Sequence, residues 1–298
     1  LALIFGAYLD KRELQGALPS QVYRHEGTEG ELWLDYVADL GDGFDATYSV
    51  AYLLGQPALT VDGHRLPRVQ VLVMGVDQVY PTASMREYED RCKGPYTAAL
   101  PAPPADGPRP TLYALPGNHD WYDGLTAFLR LFVGARADQI GGWRTQQTRS
   151  YFALALPQSW WLFAVDEAFG AYLDDPQLVY FSEAAEQLKA GDRVILVVPT
   201  PGWVKAEADS TAYDTIDFFI RKIIAPSGAE VRLIIAGDIH HYARYASPTR
   251  QLVTCGGGGA YLSGTQSLPP RITVPPKETL VRKASPKVEY ELAGCYPS

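Results

Sequence analysis

Gly117-Asn118-His119-Asp120 packs an amide oxygen, an imidazole and a carboxylate into four residues, directly after the apolar run Thr111-Leu112-Tyr113-Ala114. At the carboxyl end of a strand, such a turn can both bind a metal and deliver a proton. His119 and Asp120 are therefore the candidate catalytic groups. Three further segments share the build, an apolar run that ends in Gly and Asp. They are Tyr36-Val37-Ala38-Asp39-Leu40-Gly41-Asp42, Val71-Leu72-Val73-Met74-Gly75-Val76-Asp77 and Leu233-Ile234-Ile235-Ala236-Gly237-Asp238-Ile239-His240-His241. In open α/β sheets ligands bind beyond the carboxyl ends of the strands, and Asp39, Asp77, Asn118, Asp238 and His240 all fall there.

The elements that must position these groups follow a strand, loop, helix rhythm from Glu31 onward. Buried strands are expected over 32–38, 69–74, 111–114, 193–198 and 231–236, a hairpin over 150–156 and 160–165, and an antiparallel pair at 244–246 and 251–254. Helices are expected over 46–54 after an Asp45 cap, and over 84–93, 124–132, 177–189 and 211–224. Five prolines in 101–110 mark an irregular connection. The alternation predicts an α/β fold of two β-sheets stacked as a sandwich with helices outside, four layers in all. Residues 1–30 are expected to be an N-terminal extension and 31–263 the main domain. A Pro-rich C-terminal segment is expected over 264–298, with little helix or strand pattern from Leu262 through Pro286. The opening at Leu1 without Met and the mid-pattern stop at Ser298 are expected of a stretch cut from a longer chain.

Bulk properties narrow the function. A length of 298 residues with 47% hydrophobic content allows a large core. With 26 basic and 34 acidic residues the formal net charge is −8, so no general nucleic-acid binding is expected, and a phosphorylated substrate needs local positive charge. Cys92, Cys255 and Cys295 are odd in number and widely spaced, which argues against a disulfide framework or a structural zinc and for a reducing, cytoplasmic setting. No apolar run reaches about 18 residues, so membrane association is not indicated within this segment.

From about Leu32 to Leu262 the order of motifs resembles the calcineurin-like metallophosphoesterases, and more closely the purple-acid-phosphatase branch. Asp39-Leu40-Gly41 matches an Asp-x-Gly element, and Asp77-Gln78-Val79-Tyr80 matches Gly-Asp-x-x-Tyr with Val76 in place of Gly. Gly117-Asn118-His119-Asp120 matches Gly-Asn-His-[Asp/Glu] without change. The resemblance implies a two-metal centre in which Asp77 bridges, Asp39 and His240 hold metal 1 with Tyr80 as an added ligand, and Asn118 holds metal 2. It also implies that His119 protonates the leaving oxygen or steadies the transition state. The chemistry implied is in-line attack of a metal-activated hydroxide on phosphorus, made possible by lowering the pKa of water from about 15.7 to about 7. Two positions depart from the pattern. Pro199 stands where a later-strand His belongs, and Asp238 replaces the first His of Gly-His-x-His, so metal 2 loses one imidazole and exchanges another for a carboxylate. One or two divalent or trivalent ions are expected, with Mn, Fe or Mg favoured over Zn by the oxygen-rich donors.

Several residues carry two readings. Asp42 is either a turn residue or, in a rival alignment, part of the Gly-Asp element itself. Tyr80 is either a ligand or the start of a turn with Pro81, and His241 is expected to cap or face solvent. Trp121 and Tyr122 form a substrate wall or anchor their loop, with the wall preferred, and Arg149 or Arg244 is expected to carry phosphate charge. The glycines 256–259 lack a following Lys-Ser/Thr and read as a tight turn that lets backbone approach the site. The leading expectation is a metal-dependent hydrolase of a small phosphate monoester or diester. The alternative is a catalytically degenerate binding or scaffold protein on the same fold.

Overall fold

The computed structural model describes residues 11–28, 30–105, 109–134, 140–167, 172–276 and 283–297. Its strands are β1 Val22–Arg24, β2 Leu34–Val37, β3 Ala58–Val61, β4 His64–Pro67, β5 Val71–Met74, β6 Thr111–Ala114, β7 Arg144–Thr145 and β8 Phe152–Leu156. They continue with β9 Trp160–Ala164, β10 Arg193–Val197, β11 Glu230–Ala236, β12 Tyr242–Ala246, β13 Gln251–Cys255, β14 Arg271–Val274 and β15 Val288–Tyr296. A four-stranded sheet, β2-β5-β6-β7, is parallel throughout. A nine-stranded sheet runs β1-β8-β9-β10-β11-β13-β12-β15-β14, with β9, β10, β11 and β13 parallel at its centre and antiparallel pairs toward the β14 edge. β3 and β4 form a separate hairpin.

Period-two alternation explains how the layers stack. In β5, Val71 and Val73 point to the space between the sheets, where they meet Tyr113, Phe152, Leu154, Leu162, Ala164 and Val197. Leu72 and Met74 of the same strand point outward, under helices. β9 repeats the device, with Leu162 and Ala164 facing in and Trp161 and Phe163 facing out. Each Val or Leu so enclosed contributes about 1.5–3 kcal/mol. The expected two-sheet sandwich with flanking helices is the observed architecture.

The helices are α1 Lys11–Gln15, α2 Phe44–Gly55, α3 Met85–Tyr88, α4 Gly94–Ala99, α5 Thr126–Phe132, α6 Asp175–Ala185, α7 Gly202–Lys205 and α8 Asp214–Phe219. α2 to α5 cover the small sheet, and α6 to α8 cover the large one. Ser84 caps α3 by accepting from the Glu87 amide at 3.1 Å, the first half of a Ser-x-x-Glu box. α3 runs through a wide turn, Glu89–Lys93, into α4. Asp45 is not the cap expected: the N-cap of α2 is Gly43, and Asp45 lies in the first turn, where its charge suits the helix dipole. The helix expected from Gly124 begins at Thr126, because Gly124 and Leu125 take left-handed φ values and Asp123 accepts from the Thr126 and Ala127 amides at 2.8 and 2.9 Å.

The two ends of the chain depart from expectation. Within 1–30, β1 pairs parallel with β8, and Arg12 is fully buried. Within 264–298, β14 lies in the stretch expected to be irregular and β15 follows it, and both extend the large sheet, with Val274 and fully buried Tyr290 in its core. Val288-Glu289-Tyr290-Glu291-Leu292 is an alternating strand pattern hidden by the surrounding prolines. Among the described residues no helix is long and apolar enough to cross a membrane.

Candidate metal centre

The loops after β2, β5, β6, β10 and β11 meet at one edge of the sandwich. The first two are laced together: the Gly75 amide donates to Val37 O at 2.6 Å, the Asp39 amide to Val76 O at 2.9 Å and the Leu40 amide to Asp77 O at 2.9 Å. Asp39, Asp77, Asp238 and His240 have φ of 60°, 53°, 74° and 49°, left-handed values that side chains other than Gly rarely take. Such backbone costs on the order of 1–3 kcal/mol per residue and concentrates where function holds it. Two glycines leave room for the carboxylates. A Cβ on Gly117 would lie 2.1 Å from Asp77 Oδ1, and one on Gly256 would lie 2.4 Å from Asp39 Oδ2.

The buried Tyr80 hydroxyl is the hub. It lies 2.9 Å from Asp39 Oδ1, 3.1 Å from Asp77 Oδ2 and 3.0 Å from His240 Nε2. His240 Nδ1 sits 3.0 Å from the Tyr261 carbonyl, which can only accept, so Nδ1 carries the hydrogen and Nε2 of the neutral ring presents a lone pair. Burial holds the His240 pKa below its ordinary value, which favours that neutral form. One hydroxyl proton therefore serves three acceptors. Burial, then the charge of Asp77, pushes the Asp39 carboxyl well above the carboxylate range, while burial pushes Asp77 up to about 6. The cluster is short of positive charge.

The donor set suits a cation: two carboxylate oxygens, a phenol oxygen and an imidazole nitrogen. Among the described residues no group of three or more His, Cys, Asp and Glu is set by itself to hold an ion. The carboxylates and imidazole converge instead on the Tyr80 oxygen, with Asp39 Oδ1 and His240 Nε2 3.8 Å apart.

The Gly-Asn-His-Asp loop is tied to this cluster by the His119 amide, which donates to Asp77 Oδ1 at 2.9 Å. His119 Nδ1 lies 2.7 Å from the Pro81 carbonyl, so Nε2 is the free nitrogen, and the ring packs between Tyr80 and Tyr122 at centroid distances of 4.4 and 4.9 Å. Asp120, a candidate catalytic group from sequence, is fully buried. It accepts from the Gly117 amide at 2.8 Å, the Gln78 amide at 3.2 Å and the Tyr88 hydroxyl. These bonds make Asp120 a positioning residue that locks its own loop to the Asp77 loop. Asn118 lines a small cavity of about 70 Å³ with Val76, Gly117, Pro199, Thr200 and Asp238.

Several expected residues sit elsewhere or act differently. Trp121 is buried, donates to Asp166 Oδ1 at 3.2 Å and packs under the Arg12 guanidinium, so it anchors the loop and is no substrate wall. Tyr122 is the exposed member of that pair. Arg149 is buried, donates to the carbonyls of Leu18 and Pro19 and lies over Tyr180, which leaves it no phosphate to hold. Arg244, in β12, donates to Gln251 Oε1 at 3.2 Å. Asp42 is exposed, close enough for its charge to act on His240. His241 neither caps nor faces solvent, since it is buried and neither ring nitrogen has a hydrogen-bond partner. The 256–259 glycines do approach the site: the Gly258 amide donates to Ala38 O at 2.8 Å, and Gly256 abuts Asp39 and His240.

Sequence reading missed one group. Lys205, in α7, bonds Asp238 Oδ2 at 2.6 Å, while the Asp238 amide donates to the Asp39 carboxylate at 3.0 Å. Its only sequence signal is position, six residues beyond Pro199, which lies in the loop that follows β10.

No protein-family model matches the chain, and no curated protein matches it. Among solved structures it is similar to GAP50, described as the anchor in the inner membrane complex of Plasmodium, with 14% identity and a TM-score of 0.52 over 78% of this chain and 75% of that one. It is also similar to purple acid phosphatase PPD1 from yellow lupin (Lupinus luteus) seeds, with 13% identity and a TM-score of 0.48, over 80% of this chain and 47% of that one. The chain thus spans about half the length of the lupin protein. At these identities the likeness is one of fold.

Proposed function

We propose that this chain is a metal-dependent phosphoesterase that hydrolyses a small phosphate monoester or diester. The observation that carries the proposal is the convergence of Asp39 Oδ1, Asp77 Oδ2 and His240 Nε2 on the Tyr80 hydroxyl at the strand ends, four donors with one proton among them. Asp39, Asp77, Tyr80 and His240 would hold the ion, with Mn, Fe or Mg favoured over Zn by the oxygen donors. When bound there, the ion supplies Lewis acidity toward a phosphoryl oxygen and acidifies water.

The protein's own part is orientation and proton transfer. His119 keeps Nδ1 on Pro81 O, so a proton carried on Nε2 is directed outward, to a leaving oxygen. Asp120 holds the loop that presents His119, through the Gly117 and Gln78 amides. Tyr122, stacked on His119, supplies an exposed aromatic wall. The acidic surface fits a small substrate drawn in by local cations better than a nucleic acid.

The test is elemental analysis of the purified chain, with hydrolysis of p-nitrophenyl phosphate and its bis-ester measured after reconstitution with Mn²⁺, Mg²⁺, iron or Zn²⁺. Bound metal, turnover and loss of both in a folded Asp77→Asn variant support the proposal. Absence of bound metal after reconstitution refutes it. A second reading, a binding scaffold on the same fold, draws on the lack of a ready-made His, Cys, Asp and Glu cluster among the described residues and on the fold likeness to GAP50, an anchor protein. A folded chain that binds metal yet turns over neither ester with any of the four ions favours that reading.

A further inference from the structure

The second ion implied by the two-metal resemblance does not fit these residues. Pro199 offers no side-chain ligand, and the Asp238 carboxylate is already held by an ammonium, with Lys205 Nζ at 2.6 Å from Oδ2. We propose that Lys205 takes the place of that ion, and that its ammonium and the adjoining cavity bind an oxyanion of a phosphate group. The inference rests on the phosphoesterase reading for its substrate, but on different residues.

Charge comes first. Asp39, Asp77 and Asp238 bring three carboxylates to the edge where a phosphate would arrive, so binding needs more positive charge than one ion supplies. Of the two arginines expected from sequence, Arg149 is buried and donates to the carbonyls of Leu18 and Pro19, and Arg244 donates to Gln251 Oε1. Lys205 has three donors, and its bond to Asp238 uses one. Its side chain is 45% exposed, so it is not enclosed by the protein.

Space comes second. Asp238 forms one wall of the cavity of about 70 Å³ that Gly117, Asn118 and Thr200 also line. A water needs about 10–15 Å³ of such space, so the cavity has room for about five, comparable with the number of heavy atoms in a phosphate group. Topology supports the pairing. α7 follows the end of β10 directly and carries Lys205 to the loop after β11, its parallel neighbour. The Asp238 amide donates to Asp39, which ties the loop that carries Asp238 to the main cluster. A lysine is a compact point charge suited to phosphate, and Lys205, in α7, takes no metal ligand away from the Tyr80 cluster.

The experiment measures Mn²⁺ equivalents by mass spectrometry and orthophosphate affinity by calorimetry, in metal-loaded and metal-free protein, for wild type, Lys205→Met and Lys205→Arg. Expected are one Mn²⁺ per chain in all three, orthophosphate binding weakened about 10- to 100-fold in Lys205→Met, and largely restored binding in Lys205→Arg. An unchanged melting temperature in Lys205→Met separates lost binding from lost fold. Two Mn²⁺ per wild-type chain, or orthophosphate binding indifferent to Lys205→Met, overturns the proposal. A chain that takes up no Mn²⁺ refutes the phosphoesterase reading, whereas Lys205-dependent orthophosphate binding in that same metal-free chain upholds this one.

Discussion

Replacing Tyr80 with Phe removes the hub and leaves its partners in place. In the metal-free protein the hydroxyl donates toward Asp39 Oδ1 at 2.9 Å and Asp77 Oδ2 at 3.1 Å. A hydrogen bond to a charged group contributes about 1.5–3 kcal/mol, and a single proton serves one carboxylate at a time, so the expected loss is about 1.5–3 kcal/mol. In a chain of this size each kcal/mol moves the melting temperature by about 2–4 °C, which gives a drop of roughly 3–12 °C in EDTA at pH 8. At pH 5 the drop is smaller. Burial pushes the Asp77 carboxyl up to about 6, so at pH 5 Asp77 carries a proton of its own to share. Mn²⁺ at about 100 times its dissociation constant adds about 2.7 kcal/mol to any form that binds it. The assay is a circular-dichroism melt with EDTA and with Mn²⁺ at both pH values. A variant that melts within about 1 °C of wild type in EDTA refutes the shared-proton cluster, and failure of Mn²⁺ to raise either melting temperature refutes the cation site.

Further predictions follow from other contacts. His119→Asn is expected to lower kcat by about 10²- to 10⁴-fold while metal content stays unchanged, read by steady-state kinetics with elemental analysis. Asp120→Ala strands the Gly117 and Gln78 amides and the Tyr88 hydroxyl in a buried setting, so a destabilisation of about 2–4 kcal/mol in urea is expected. Gly256→Ala places a Cβ 2.4 Å from Asp39 Oδ2 and should lower metal affinity, which a Mn²⁺ titration reads. Asp166 is fully buried between Arg12, Ser150 and Trp121, and burial pushes its carboxyl from 3.8 up to about 7, roughly 4 kcal/mol against the ionised form. Between those values the folded chain holds a proton that the unfolded chain has lost, so the contribution of Asp166 to stability falls as pH rises through the window and is level above it. The melting temperature of Asp166→Asn relative to wild type should therefore rise from pH 5 to pH 8; a constant difference would refute the shift.

The strands that build the site were legible because apolar alternation and the glycines that end it are local signals. β5, β6, β8 and β9 lie within a residue or two of where their side-chain patterns place them, and the Gly-Asn-His-Asp loop follows β6 as expected. β14 and β15 were lost among prolines, since a pattern of five residues is easily outweighed by its neighbours. The direction each polar side chain takes was not legible. Asp120 and His119 are adjacent, yet the first turns into the core toward Tyr88 and the second lies against Tyr80 and Tyr122.

Sequence by itself determined which residue types stand at the ends of which strands, because strand ends are set by short-range rules of alternation and turn chemistry. Tertiary structure alone decided which of them meet. Tyr80 reaches His240 across 160 positions of chain, and Lys205 reaches Asp238 because β10 and β11 lie side by side. Arg149 was withdrawn from the site by Leu18 and Pro19, on a segment whose place beside β8 no local pattern announces. Sheet order is a property of the packed core as a whole, and it is sheet order that brings two carboxylates, a phenol and an imidazole to a single proton.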